Sequence, residues 1–150
     1  MKISFLGGGN MANALIGGML KQGFAAADIN VIDPGTDARV RLATTYAVNC
    51  VEAAEMLAEV GDLLVVAVKP QQMQDALTPL VGRLGDALVV SIAAGLDMAT
   101  LSRWLGGHRR IVRCMPNTPA LIGAGMTGLC ALPEVSDDER SAADRVLRAV

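Results

Sequence analysis

Three consecutive glycines, Gly7-Gly8-Gly9, followed by Asn10-Met11-Ala12, are the residues of this chain whose types and spacing point most directly to chemistry. An apolar run, Ile3-Ser4-Phe5-Leu6, leads into them, and a segment with Leu15, Ile16, Met19 and Leu20 on one face follows. Read as strand, tight turn and helix, this is the form G-x-G-x-x-A of a fingerprint that holds the pyrophosphate of a dinucleotide. Gly7 lets the chain turn off the strand, Gly9 keeps no side chain between a pyrophosphate and the backbone, and Ala12 lets the helix pack closely on the strand. The helix N-terminus then presents unpaired N–H groups and a partial positive charge to the phosphates. Glycine-rich turns also join strands to helices without binding anything, so the setting on both sides carries the reading.

A second candidate is Asp33, 21 residues past Ala12, close to the offset at which an acidic residue bonds the adenosine ribose. A carboxylate there favours NAD and repels the 2′-phosphate of NADP. Asp33 also has the type and place to cap the Pro34-Gly35 turn, and Thr36, Arg39 and Arg41 are near enough in sequence to hold a phosphate, so both readings stand. Lys69, ahead of Pro70, is held extended, which makes its backbone as relevant as its ammonium group. His108 sits in the glycine- and charge-rich loop Gly107-His108-Arg109-Arg110 and reads as solvated. Cys50, Cys114 and Cys130 are far apart, with no C-x-x-C pair, and read as buried thiols of a reducing compartment rather than as a disulfide or zinc framework. No metal-ligand spacing and no serine with a neighbouring base motif is present.

These candidates need a scaffold, and the chain supplies one. Ile29–Ile32 reads as a second strand, 36–45 as a helix, 47–51 as a short strand and 52–60 as a further helix. Leu63 to Val68 is a continuous apolar run, as expected of a central strand covered on both faces. Met73, Leu77, Leu80, Val81 and Leu84 recur at helical spacing after Pro70, and 88–92 is the next buried strand. Asp97 caps a helix carrying Met98, Leu101, Trp104 and Leu105 that ends at Gly106-Gly107; Trp104 reads as a core residue. Strands at 111–115 and 128–132 follow, then a helix opened by the capping box Ser136 and Glu139, with the stripe Ala142, Ala143, Val146, Leu147 and Val150. The pattern predicts one α/β domain over 1–150, a Rossmann-like, doubly wound, mostly parallel sheet with helices on both faces. In such a sheet, ligands lie outside the carboxyl ends of the strands. The last helix stops without glycine or proline, so its stripe is expected to need a cover from outside 1–150, and the chain to be the front part of a longer protein.

Composition narrows the classes further. Hydrophobic residues at 52% and charged residues at 19% exclude a disordered segment, and aromatics at 3% leave Val, Leu, Ile, Ala and Met to build the core. A net charge near −2 without a basic block argues against nucleic acid as a partner. No signal-peptide pattern opens the chain, and its most apolar stretch, 120–132, is broken by Gly123, Gly125 and Gly128, so neither export nor a membrane is expected and the location expected is cytoplasmic.

Four segments together resemble a known family: Phe5-Leu6-Gly7-Gly8-Gly9-Asn10-Met11-Ala12, Val68-Lys69-Pro70-Gln71, Ser91-Ile92-Ala93-Ala94-Gly95 and Arg113-Cys114-Met115-Pro116-Asn117-Thr118-Pro119-Ala120 are similar to the motifs of pyrroline-5-carboxylate reductases, in the family's order and over the whole chain. The resemblance implies reduction of 1-pyrroline-5-carboxylate to L-proline with NADPH or NADH, and no metal. It implies that Leu6, Gly7, Gly8, Gly9, Asn10 and Met11 hold the pyrophosphate, Asp33 the adenosine ribose, and Ala67, Val68, Lys69 and Pro70 with Ile92, Ala93 and Ala94 the nicotinamide half, with Asn117 near nicotinamide and substrate. Where the family often has Asn, near Ala54, this chain has alanine. The family's second, helical domain, which forms the homo-oligomer and supplies the substrate loop, is expected beyond Val150. Two other readings remain open: another NADP-dependent imine or ketone reductase, such as a relative of the F420-dependent NADP reductases, and a dinucleotide-binding module without catalysis.

Overall fold

A computed structural model describes residues 1–116 and 127–150. Seven strands form one sheet: Ile3–Leu6 (β1), Ile29–Ile32 (β2), Asn49–Val51 (β3), Leu63–Val66 (β4), Leu88–Ser91 (β5), Ile111–Pro116 (β6) and Thr127–Ala131 (β7). Their order is β3-β2-β1-β4-β5-β6-β7. Pairs from β3 to β6 are parallel, and β7 joins antiparallel, with Cys114 opposite Leu129. This is the doubly wound α/β order expected, with strand order reversing between β1 and β4.

The apolar runs form strands because each face of the sheet has its own core. In β4, Leu63 and Val65 point into one core and Leu64 and Val66 into the other, which is why the run shows no polar alternation. The first core is covered by Asn10–Lys21 (α1), Thr36–Tyr46 (α2) and Asp137–Leu147 (α5), with Leu15, Ile16, Met19, Leu42, Val146 and Leu147 buried in it. Met73–Leu77 (α3), Met98–Trp104 (α4) and the segment 54–60 cover the other, with Met73, Leu77 and Leu101 fully buried. Trp104, half-buried, packs against that second core.

Local capping signals hold as read. Asp97 accepts from the Thr100 N–H at 2.7 Å, and Ser136 and Glu139 complete a capping box at α5. Gly106 and Gly107, at φ +70° and +93°, follow α4 in a conformation that stops a helix.

Three elements differ from the sequence reading. The helix expected over 52–60 is a single 3₁₀ turn, Ala54–Met56. Ala54, Leu57 and Val60, spaced by three, are buried, and the Arg83 guanidinium donates to the Ala54 and Leu57 carbonyls at 2.7 and 2.6 Å, taking acceptors that a helix would have used internally. The helix expected from Met73 to Leu84 is α3 followed by a 3₁₀ turn, Thr78–Leu80, because Pro79 brings no N–H and Val81 turns extended and stays 45% exposed. Finally, the stripe on α5 is largely covered within the chain, with Ala142 and Val150 left half-buried. Ala143, Val146 and Leu147 are buried in the core shared with α1, and α1 approaches the end of the chain so closely that a Cβ on Gly18 would lie 1.9 Å from the Ala149 carbonyl oxygen. Strand β3 also begins later than read, at Asn49, and β4 ends earlier, at Val66.

Candidate functional site

The edge formed by the carboxyl ends of the parallel strands gathers most of the candidate residues. At its centre β1 ends in the glycine turn. Gly7 has φ +100°, donates its N–H to the Ile32 carbonyl at 2.8 Å, and sits so tightly against β4 that a Cβ would come within 2.8 Å of the Ala67 oxygen. Gly8 is buried, its N–H bonded to Asp33 Oδ2 at 2.8 Å and its carbonyl accepting from Arg41 Nη2 at 2.9 Å. Gly9 differs from both. It is exposed and extended at φ −78°, ψ −164°, and a Cβ there would meet nothing within 4 Å.

Gly9 is also the N-cap of α1, so its bareness uncovers a helix terminus. Its carbonyl accepts from the Asn13 N–H at 2.9 Å, no side chain caps this end, and no acidic residue lies in the first turn. The first N–H groups and the positive end of the helix dipole therefore face the open space above Gly9. Asn10 is exposed and Met11 half-buried at the same end, while Ala12 is fully buried and brings the helix close to the sheet. A helix start left open in this way has the geometry that suits an anion without any cationic side chain.

Asp33, half-buried, closes the turn as one of its two readings had it, and also holds the glycine loop. Its Oδ1 accepts from the Gly35 N–H at 2.7 Å, closing the turn, while Oδ2 holds the glycine loop through Gly8. Arg39 donates to the Asp33 carbonyl at 2.8 Å and to Thr36 Oγ1 at 3.3 Å. A cleft of about 600 Å³ opens beside this point, lined by Leu6, Gly7, Ile32, Asp33, Glu52, Ala54, Val68 and Ala76 among others. Ala54 is buried on its wall and offers no side-chain donor.

Past β4, the Ala67 N–H donates to the Leu6 carbonyl at 2.8 Å and Val68 lines the cleft. Lys69 is exposed and extended, with its carbonyl accepting from Gln72 at 2.9 Å, and Pro70 opens the 3₁₀ turn Pro70–Gln72. Ile92 donates to the Val66 carbonyl at 3.1 Å, Ala93 is buried with its N–H on Ser91 Oγ at 3.3 Å, and Ala94 is exposed. The glycine turn, Asp33, 67–70 and 92–94 thus share one edge, although only Leu6, Gly7, Asp33 and Val68 of these line the cleft. Asn117 lies outside the described residues.

Residues away from this edge correct two expectations. His108 is half-buried with Nε2 2.8 Å from the Ala87 carbonyl, which anchors its loop rather than leaving it solvated. Of the three thiols, Cys114 is buried and pushed up to about 12 by that burial, Cys50 is half-buried and raised mainly by burial, but Cys130 is exposed on β7. Among the described residues no cluster of His, Cys, Asp or Glu has metal-ligand geometry, and no helix is long and apolar enough to cross a membrane. Sequence reasoning missed Glu52, which lines the cleft beside Asp33, and Arg83, which ties down the wall at Ala54. The signal for Glu52 was available, because a strand order 3-2-1-4 puts the residue after β3 next to the one after β2.

Comparison with known proteins agrees with this geometry. The family model described as NADP oxidoreductase, coenzyme F420-dependent, matches residues 2–95. The chain is 46% identical over 99% of its length to the pyrroline-5-carboxylate reductase of Pseudomonas aeruginosa, of which it covers 55%, and 42% identical over 85% of its length to that of Escherichia coli, of which it covers 48%. It spans about half the length of the curated relatives it matches. Among solved structures it is similar to a pyrroline-5-carboxylate reductase from Coxiella burnetii, at TM-score 0.93 and 34% identity over 99% of this chain and 56% of that one. A Plasmodium falciparum pyrroline carboxylate reductase with NADP bound matches at TM-score 0.85 and 27% identity, again over 99% of this chain and 55% of that one.

Proposed function

The chain belongs to the NADP oxidoreductase, coenzyme F420-dependent, family, and from that premise we propose that it supplies the dinucleotide-binding part of a pyrroline-5-carboxylate reductase, reducing 1-pyrroline-5-carboxylate to L-proline with NADPH or NADH. One observation carries the dinucleotide half of this reading: the uncapped N-terminus of α1 opens onto free space at Gly9, where a Cβ would meet nothing within 4 Å. A pyrophosphate can approach the backbone there and nowhere else along the turn, since Gly7 is packed against β4 and Gly8 is buried. Similarity to pyrroline-5-carboxylate reductases over 99% of the chain supports the substrate half.

In this reading the residues divide the work along the strand edge. Leu6 to Met11 receive the pyrophosphate, Asp33 orients the adenosine ribose, and Ala67 to Pro70 with Ile92 to Ala94 flank the nicotinamide half, with Asn117 beside it. A bound nicotinamide supplies the hydride for the C=N carbon of the cyclic imine. What this chain contributes is position, which for hydride transfer is the larger part of the protein's task. The residues that grip the substrate, and the contacts that make the whole enzyme a homo-oligomer of the cytosol, are placed by the same reading outside 1–150.

The test separates binding from turnover. Fluorescence titration of the chain with NADH and NADPH should give saturable binding, and oxidation of the reduced nicotinamide on addition of 1-pyrroline-5-carboxylate should appear once the chain is fused to the remaining half of the Pseudomonas aeruginosa relative. Binding without turnover in that fusion would leave only the module reading. Turnover of other cyclic imines or of ketones in preference to 1-pyrroline-5-carboxylate would shift the assignment to another reductase.

A further inference from the structure

We infer that Glu52, standing beside Asp33, is a specificity-determining residue that turns this site toward NADH and against NADPH. The inference rests on the dinucleotide reading above and goes beyond it, because the family description and the Plasmodium falciparum relative both carry NADP.

The geometry comes from the pairing of β3 with β2. Ile32 is in register with Val51, and the Asp33 N–H donates to the Val51 carbonyl at 3.0 Å. The next residue on each strand is therefore an acid, Asp33 on one and Glu52 on the other, and both line the same cleft. Glu52 is exposed, so its carboxylate is free to face whatever enters. Among the described residues lining that cleft there is no lysine or arginine, and Glu55 and Asp75 add two further carboxylates to it.

The neighbouring cations, Arg39 and Arg41, keep their charge on neutral backbone and hydroxyl oxygens, but neither is among the described residues that line the cleft. Arg39 holds the Asp33 carbonyl and Thr36 Oγ1, and Arg41 holds the Gly8 carbonyl. A ribose 2′-hydroxyl at the end of β2 would find acceptors in a carboxylate pair. A 2′-phosphate, dianionic or nearly so, would meet two like charges instead.

The experiment is a titration of the chain with NADH and with NADPH, in wild type, Glu52→Gln and Glu52→Lys, at fixed low salt. Wild type should bind NADH at least about fivefold more tightly. Glu52→Gln should move the ratio of dissociation constants about threefold toward NADPH, the size of a partly screened charge a few ångström away, and Glu52→Lys should move it further. Both changes should act mainly on NADPH. Wild type binding NADPH as tightly as NADH, or a ratio that Glu52→Gln and Glu52→Lys leave in place, would overturn the inference while the dinucleotide reading stands. Binding of neither nucleotide would overturn that reading and this inference with it.

Discussion

Replacing Gly9 with valine isolates the pyrophosphate contact from the fold. At φ −78° and ψ −164° the backbone is one that a β-branched residue adopts without strain, and the added Cβ would meet no protein atom within 4 Å. The folded state therefore loses little. Valine is a poorer N-cap than glycine, which costs about 0.5–1 kcal/mol and lowers Tm by about 1–4 °C in a domain of this size. The same Cβ and its two methyl groups fill the space through which an anion reaches the N–H groups of α1. A charge-assisted hydrogen bond is worth about 1.5–3 kcal/mol, so losing even one weakens dinucleotide binding by at least about tenfold, equivalent to about 1.4 kcal/mol. Isothermal titration with the tighter-binding nucleotide measures this, with a thermal melt on the same sample. Gly7→Ala is the contrasting control: at φ +100°, with the Ala67 oxygen 2.8 Å from the new Cβ, it should lower Tm first. Unchanged affinity in a folded Gly9→Val protein would refute the placement of the pyrophosphate.

Asp33→Ser should lower the NADH:NADPH affinity preference in a paired titration by removing a charge, and should also loosen the turn because the Gly8 and Gly35 N–H groups lose their acceptors; an unmoved preference would leave Asp33 as a turn residue only. Gly18→Ala should destabilise the fold by about 1–3 kcal/mol, as an overpacked methyl does, lowering Tm and raising hydrogen exchange in α5, because its Cβ collides with the Ala149 carbonyl. Arg83→Ala should lower Tm and weaken nucleotide binding a few-fold, since the carbonyls it holds at Ala54 and Leu57 shape the cleft wall; an unchanged affinity would show the wall to be self-supporting. Alkylation at pH 8, read by mass spectrometry, should label exposed Cys130 and spare Cys114. Burial raises the Cys114 thiol to about 12, so its reactive thiolate, gained only as pH rises toward that value, is about one part in ten thousand at pH 8.

What the sequence made legible was local or doubly covered. The runs of β1, β4 and β5 read as strands because both faces of the sheet are buried, and the caps at Asp97 and Ser136 read correctly because each is completed within four residues. The segment 52–60 did not, because a spacing of three suits a 3₁₀ turn as well as a helix and the deciding bonds come from Arg83, 26 and 29 residues away. The cover over α5 was equally invisible. An apolar stripe read alone looks orphaned, and only the crossing of α1, made close by Gly18, shows that it is buried by the chain itself. At the site, the glycine turn was legible from its own residues, whereas Glu52 acquires meaning only from the pairing of β3 with β2.

Asp33 shows why the two readings of a strand-end acid need not compete. A carboxylate has about four lone-pair positions, and here two are taken, by the Gly8 N–H on Oδ2 and the Gly35 N–H on Oδ1. Those bonds fix the side chain across the root of the glycine loop, so that closing the turn and holding Asp33 at the cleft wall are one act of positioning. The Oδ2 bond also ties Asp33 to the loop whose next residue is the bare Gly9, so in the proposed reading it joins the ribose end of the site to its phosphate end. On the proposed placement, a change at Asp33 should reach the pyrophosphate through the loop as well as the ribose through charge. Glu52 has no such bond to the loop, which makes it the cleaner probe of charge, while Gly9 is the cleaner probe of approach.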